Sequence, residues 1–194
     1  AMEADGSFIS WAGGVGVESV KWHVALGDAA EVLAVASNWS DVTVIDRRIG
    51  DRDDTMGLIC EMLLSGVVCI AVPDNGYALT RLDRITIAFD GSPASIRALH
   101  AGMPFMQRAA HVLLIRCNHE DEGCATTVPA AFDPQRYLAG HGIKVDMEPV
   151  DNVGPRAEAI LEAASRNRTD LLVSGASGKR HLGECCLDET PSHL

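Results

Sequence analysis

Four residues of metal-ligating types lie close together near the end of the chain. They are His181, Cys185, Cys186 and His193, and imidazole nitrogens and thiolate sulfurs are the donors that zinc prefers. His181 and Cys185 stand one helical turn apart, which suits two ligands of one ion. Cys185 and Cys186 are adjacent, so both cannot point the same way on a regular helix, and small apolar cysteine is common in helix cores. We therefore expect core packing here and no metal site.

Two loops carry residue types that suit a polar ligand, and each also has an ordinary structural interpretation. Asp90 opens an Asp-Gly-Ser turn in which Ser92 can cap the next helix, with Pro93 in its first turn. Gly175 and Gly178 are spaced so that backbone N–H groups can approach an anion at a helix start, because glycine has no Cβ. The same spacing is common in plain turns. Taken singly, neither loop identifies a ligand.

Motifs for an activated nucleophile are absent from the sequence. The chain contains no Cys-x-x-Cys, no Gly-x-Ser-x-Gly elbow and no Walker phosphate loop. A hydrolase that uses such a nucleophile is not supported, and we expect no enzyme.

The composition is that of a folded, acidic protein. Of 194 residues, 47% are hydrophobic and 22% charged, and the net charge of -11 disfavours a nucleic-acid partner. No apolar run approaches the ~20 residues that span a bilayer, and the first residues do not resemble a secretory signal. We expect a cytoplasmic protein with no membrane partner, whose six cysteines are reduced thiols.

Apolar periodicity predicts strands alternating with helices. The expected strands are Ser19–Ala25, Val42–Ile45, Val67–Val72, Arg84–Phe89, Val112–Cys117, Lys144–Val150 and Asp170–Ser174. The expected helices are Ala29–Asn38, Thr55–Ser65, Pro93–Ala109, Pro134–Gly140 and Pro155–Asn167. Since the strands are apolar on both faces, we expect an α/β fold with open parallel sheets and helices on both faces.

An internal repeat divides this pattern into two halves. The residues from Ala30 to Val44 resemble those from Ala157 to Val173, and Leu33 pairs with Leu161, a spacing of 161 − 33 = 128 residues. We expect residues 1–73 to form a partial, degenerate repeat, 74–83 a linker, and 84–194 a second repeat that lacks its last strand. Whether the chain is a fragment, has omitted stretches, or has halves that complete each other's sheet stays open. Trp22 and Trp39 are expected to pack in cores or between the repeats.

Three segments resemble, in order and spacing, the signature segments of the universal stress protein family. They are Ile85–Ser92, His111–Arg116 and Asp170–Gly178, and the arrangement is similar to tandem members with two such domains in one chain. The resemblance implies an open, five-stranded parallel sheet of the adenine-nucleotide alpha-hydrolase-like type. It also implies a role in stress response rather than a defined catalytic turnover, although weak ATP hydrolysis stays open.

The resemblance further implies an ATP site at the carboxyl ends of the strands of the second repeat, with Mg²⁺ entering only with ATP. Asp90 would meet the adenine or ribose, Ile115 or its neighbour would pack near the base, and the glycine pair would cradle the phosphates. The implied nucleotide-binding residues are Asp90, Gly91, Ile115, Gly175, Gly178 and Lys179.

The chain departs from the family's nucleotide-binding pattern in two places. A Gly-Ser or Gly-Thr pair would fall at positions 188 and 189, which here hold Asp188 and Glu189. Two carboxylates would repel phosphate by on the order of 1 kcal/mol or more each. In the first repeat, the corresponding loop, Asp46–Asp51, has no glycine pair. We therefore assign the first repeat no nucleotide site and expect this repeat to pack against the second.

Two functions therefore remain open. One is a stress-response module with a weakened ATP site in its second repeat. The alternative is a dimerisation or interaction protein that binds no nucleotide. For partners we expect an adenine nucleotide, and a homodimer or pairing of the repeats within one chain.

Overall fold

The computed structural model describes residues 2–47, 52–73, 81–116, 133–149 and 156–175. The helices are α1 (Met2–Gly14), α2 (Ala29–Ser37), α3 (Arg52–Leu64), α4 (Pro93–Met106), α5 (Pro134–Gly140) and α6 (Arg156–Arg166). The strands are β1 (Thr43–Arg47), β2 (Cys69–Pro73), β3 (Arg84–Phe89), β4 (His111–Arg116), β5 (Asp146–Pro149) and β6 (Leu171–Ser174). None of the described helices is long and apolar enough to span a membrane.

The strands form two parallel sheets, which confirms the predicted α/β class. One sheet has the order β5-β4-β3-β6, and the other pairs β1 with β2. In the larger sheet, Ile85 lies opposite Val112 on one side and Leu171 on the other. The chain therefore steps outward from β3 to β4 and β5, then returns to the other side of β3.

Apolar side chains on both faces of the larger sheet pack against helices. Ile85 and Leu114 pack on one face with Leu99 of α4 and Leu138 of α5. On the other face, Leu113 and Ile115 pack with Ala163 of α6. Fully burying one such aliphatic side chain contributes about 1.5–3 kcal/mol, so the central strands β3 and β4 carry much of this core.

The smaller sheet has its own core, which includes Ile45, Ile59 and Met62. Burial raises the pKa of the Cys69 thiol on β2. Cys60 on α3 is disulfide-bonded, so the expectation of reduced thiols is wrong for that residue.

The predicted strand at residues 19–25 is wrong, because the structure has no regular element between residues 17 and 28. Alternating apolar residues suit a strand, but a strand forms only where a neighbour pairs with its backbone N–H and C=O groups. Trp39 is also not in a core, since 90% of it is exposed. Trp22 instead lies beside Phe8 of α1, with 5.6 Å between the ring centroids, on a helix that the sequence analysis did not predict.

Polar contacts fix β6 against β3 at the amino ends of these strands. The Asp170 carboxylate accepts hydrogen bonds from the backbone N–H groups of Asp83 (2.9 Å) and Arg84 (2.8 Å). The buried hydroxyl of Thr86 contacts that of Thr169 at 2.6 Å. These bonds hold the register in which β6 lies next to β3.

Replacing Asp170 with alanine tests this contact. The Asp170→Ala variant leaves two half-buried N–H groups without their acceptor, so we expect the free energy of unfolding to fall by about 1–3 kcal/mol. Urea unfolding followed by circular dichroism measures the change. Asp146→Ala, at an exposed position of β5, is the matched control and should stay within about 0.5 kcal/mol of the parent. Equal losses in the two variants would contradict the assigned role.

Candidate functional site

The carboxyl ends of β3 and β6 meet the start of α4. Ala88 of β3 pairs with Ser174 of β6, so Asp90 and Gly175 both follow directly after neighbouring strand ends. Gly175 lies against the first turn of α4, because a Cβ built on it would stand 2.3 Å from the Ser95 backbone nitrogen. Only glycine fits at this close approach.

The loop after β3 forms the Asp-Gly-Ser turn that the sequence analysis gave as the structural interpretation of Asp90. Asp90 Oδ1 accepts a hydrogen bond from the Ser92 backbone N–H at 2.9 Å. Ser92 then caps α4, since its Oγ accepts from the Ser95 N–H at 3.1 Å. Gly91 has a φ of +78°, a left-handed conformation that favours glycine. The turn holds the half-buried Asp90 carboxylate at the sheet edge.

Ile115 has a core role in the structure. Its exposed fraction is 0%, and it packs with Leu113 and Ala163 beneath α6. The described structure therefore gives it no surface that a ligand could contact without movement of α6 or a neighbouring segment.

Arg116 supplies a cation at the same edge. It was not among the nucleotide-binding residues that the sequence analysis named. It ends β4 opposite Phe89 of β3, and 48% of its side chain is exposed. Its guanidinium lies 3.3 Å from Asp133, whose Oδ1 accepts from the Gln135 and Arg136 N–H groups and so caps α5. In the sequence, its position at the end of a predicted strand was the only feature that could have identified Arg116 as a site residue.

Several predicted residues lie outside the described residues. They are Gly178, Lys179, Asp188, Glu189, His181, Cys185, Cys186 and His193. Within the described ranges, no group of three or more histidine, cysteine, aspartate or glutamate side chains is placed to hold a metal ion.

At the described part of this edge, the chemistry available is hydrogen bonding and charge pairing. The Asp90 carboxylate can accept from hydroxyl or amino groups of a ligand, and the Arg116 guanidinium can donate to an anion. The Asp133 carboxylate is engaged by Arg116 and by the N–H groups of α5. The Ser92 hydroxyl is engaged as the helix cap. These groups can form hydrogen bonds and an ion pair with a polar ligand.

Solved structures with a similar fold identify the architecture. A universal stress protein from Archaeoglobus fulgidus DSM 4304 matches with a TM-score of 0.65 and 17% identity, over 92% of this chain and 67% of that one. The chain has the fold of a universal stress protein. A universal stress protein family structure from Burkholderia pseudomallei matches 50% of this chain and 83% of its own, at 19% identity and a TM-score of 0.39. No family model and no curated protein matches the sequence.

The contact at Gly175 yields a direct test. In the Gly175→Ala variant the added Cβ would overlap the backbone of Ala94 and Ser95, so we expect a loss of stability of about 1–3 kcal/mol. Gly140→Ala, at the end of α5, is the matched control because its Cβ would meet open space, and it should leave stability unchanged or slightly higher. Thermal unfolding measures both. Unchanged stability in Gly175→Ala would show that the strand end and the helix do not touch.

Proposed function

We propose that the chain is a member of the universal stress protein family and acts as a stress-response module that binds ATP weakly at the carboxyl edge of the larger sheet. The observation that carries the proposal is the meeting of Asp90 and Gly175 at the start of α4. Because the strand order is β5-β4-β3-β6, the chain reverses its direction of travel across the sheet between β3 and β6. Open parallel sheets bind ligands beyond the carboxyl ends at such a reversal point.

The chemistry of the described residues agrees with a nucleoside as the ligand. The Asp90 carboxylate is held in place by the Ser92 N–H, which lets it accept from a ribose hydroxyl or an adenine amino group without first being ordered. At the neighbouring strand end, Gly175 lets the backbone of α4 approach closely, which brings the start of α4 to this edge of the sheet. In this proposal Gly178 and Lys179 contact the phosphates, and Mg²⁺ enters only with ATP.

The proposed affinity is low because of charge. Asp188 and Glu189 stand where the family's nucleotide-binding pattern has glycine and a hydroxyl residue, and like charges repel phosphate. We propose a cytoplasmic binding module with no defined catalytic turnover.

The alternative function is an interaction protein that binds no nucleotide. It is favoured by the outer edge of β6, which has no neighbouring strand among the described residues. An unpaired strand edge presents N–H and C=O groups that can pair with another strand. In this alternative the chain forms a homodimer, or its two repeats pair with each other.

Binding of ATP is tested by thermal stabilisation. We expect ATP with Mg²⁺ to raise the melting temperature of the full chain, since a ligand at 100 times its Kd contributes about 2.7 kcal/mol. The Asp188→Gly/Glu189→Ser double variant should bind more tightly, because it removes two negative charges. Asp90→Asn tests the role of the carboxylate in ATP binding more specifically than Asp90→Ala does. Its amide oxygen can still accept from the Ser92 N–H, while the negative charge is lost. It should bind ATP more weakly but keep its stability without ligand.

The outcomes separate the two functions. If neither the parent nor the Gly-Ser variant gains stability with ATP in a folded, full-length sample, the nucleotide proposal is overturned. Stabilisation that is unchanged in Asp90→Asn would place ATP elsewhere on the protein.

The unpaired edge of β6 makes a separate prediction for assembly. If another chain supplies a strand to this edge, sedimentation velocity should show a dimer whose fraction rises with protein concentration. A strict monomer at high concentration would contradict pairing between chains and leave only pairing within one chain.

A further inference from the structure

A polar surface cavity lies where the carboxyl ends of α2 and α3 come together, in the smaller sheet's half of the chain. Its volume is about 180 Å³, and its wall includes Ser37, Ser40, Asp41, Ser65 and Gly66. Ser37 ends α2, and the other four residues lie in the turns that precede β1 and β2. The cavity is therefore at the amino edge of its sheet and is separate from the proposed nucleotide site.

Serine hydroxyl groups on the cavity wall donate to backbone carbonyls of the helices and their ends. Ser37 Oγ donates to the Leu33 carbonyl at 2.6 Å, Ser40 Oγ to the Ser37 carbonyl at 3.3 Å, and Ser65 Oγ to the Glu61 carbonyl at 3.0 Å. A serine hydroxyl has one proton and two lone pairs. Ser37 Oγ also contacts the Thr43 hydroxyl at 2.8 Å, where either oxygen can be the donor. The Ser40 and Ser65 oxygens, whose protons are committed, have acceptor capacity left for a ligand.

Backbone N–H groups around the cavity also donate to carbonyls of the helices. The N–H groups of Ser40, Ser65 and Gly66 donate back to the Ser37, Glu61 and Leu63 carbonyls. Two helix carboxyl ends, each carrying a partial negative charge, also meet here. Asn38, which also lines the cavity, donates from its amide nitrogen to the Ala34 carbonyl at 3.2 Å. Around Ser40, Asp41 and Ser65 the cavity thus presents acceptors and negative potential.

A carboxylate without a partner completes the set. Asp41 is exposed on the cavity wall, and no described residue forms an ion pair or hydrogen bond with it. Since the whole chain has a net charge of -11, its field also draws cations toward the surface.

We propose that this cavity binds a primary ammonium group, supplied by a polyamine or by a lysine side chain. An ammonium group has three N–H donors and no acceptor, which matches one carboxylate and the oxygens of Ser40 and Ser65. Calcium suits the cavity less well, because it takes about 6–8 oxygen ligands and usually several carboxylates. The cavity is several times the ~30 Å³ share of one water molecule, which leaves room for the first carbons of an alkyl stem.

Isothermal titration calorimetry on the full chain at low ionic strength tests the proposal with three probes: spermidine, Nα-acetyl-lysine methylamide and CaCl₂. We expect saturable one-site binding of spermidine, of the lysine analogue, or of both, and the probe that binds identifies the source of the ammonium group. Asp41→Asn should weaken this binding roughly tenfold by removing the charge-assisted contact. Glu31→Gln is the matched control, since it removes one exposed carboxylate at the opposite end of α2, and it should bind as the parent does.

Three results would overturn the proposal. These are no saturable binding of either ammonium probe, equal weakening in Asp41→Asn and Glu31→Gln, and binding of CaCl₂ alone. The second result would indicate a general effect of net charge, and the third a metal site. Melting temperatures of both variants without ligand verify that each is folded.

Discussion

Backbone pairing of β3 on both sides is the constraint on which the larger sheet depends. This strand shares hydrogen bonds with β4 and with β6, and each partner arrives by a separate crossover through helices. Parallel strands cannot be joined by tight turns, so the crossovers fix where α4, α5 and α6 lie. The point where the chain reverses across the sheet, and hence the candidate site, follows from this one strand having two neighbours.

The structural and functional interpretations of the site residues are compatible. Gly175 would be required by the close approach of the α4 backbone even if the protein bound nothing. Asp90 likewise organises the turn before α4. An aspartate that the fold requires can also hold a charge toward a ligand, whereas the space beside Gly175 is filled by the α4 backbone. The presence of these residue types therefore does not by itself establish nucleotide binding.

The direction of the helices links the two proposed sites. In a parallel α/β unit each helix runs opposite to its strands, so helix amino ends lie at the carboxyl edge of the sheet and helix carboxyl ends at the amino edge. The helix dipole makes the first edge favourable to anions and the second to cations. A phosphate-bearing ligand near the start of α4 and an ammonium group near the ends of α2 and α3 are consistent with this polarity.

The sequence by itself determined the α/β class, six of the seven predicted strands and five helices, because apolar periodicity and capping residues such as Ser92 act locally. It also located Asp90 and Gly175 at strand ends. It did not determine that residues 19–25 lack strand structure, since pairing depends on a neighbour that local sequence does not reveal. The burial of Ile115, the exposure of Trp39, the ion pair of Arg116 with Asp133 and the contact of Gly175 with α4 were decided only by tertiary structure. Each of these depends on residues distant in the chain that packing brings into contact, and no periodicity within a segment encodes which residues those will be.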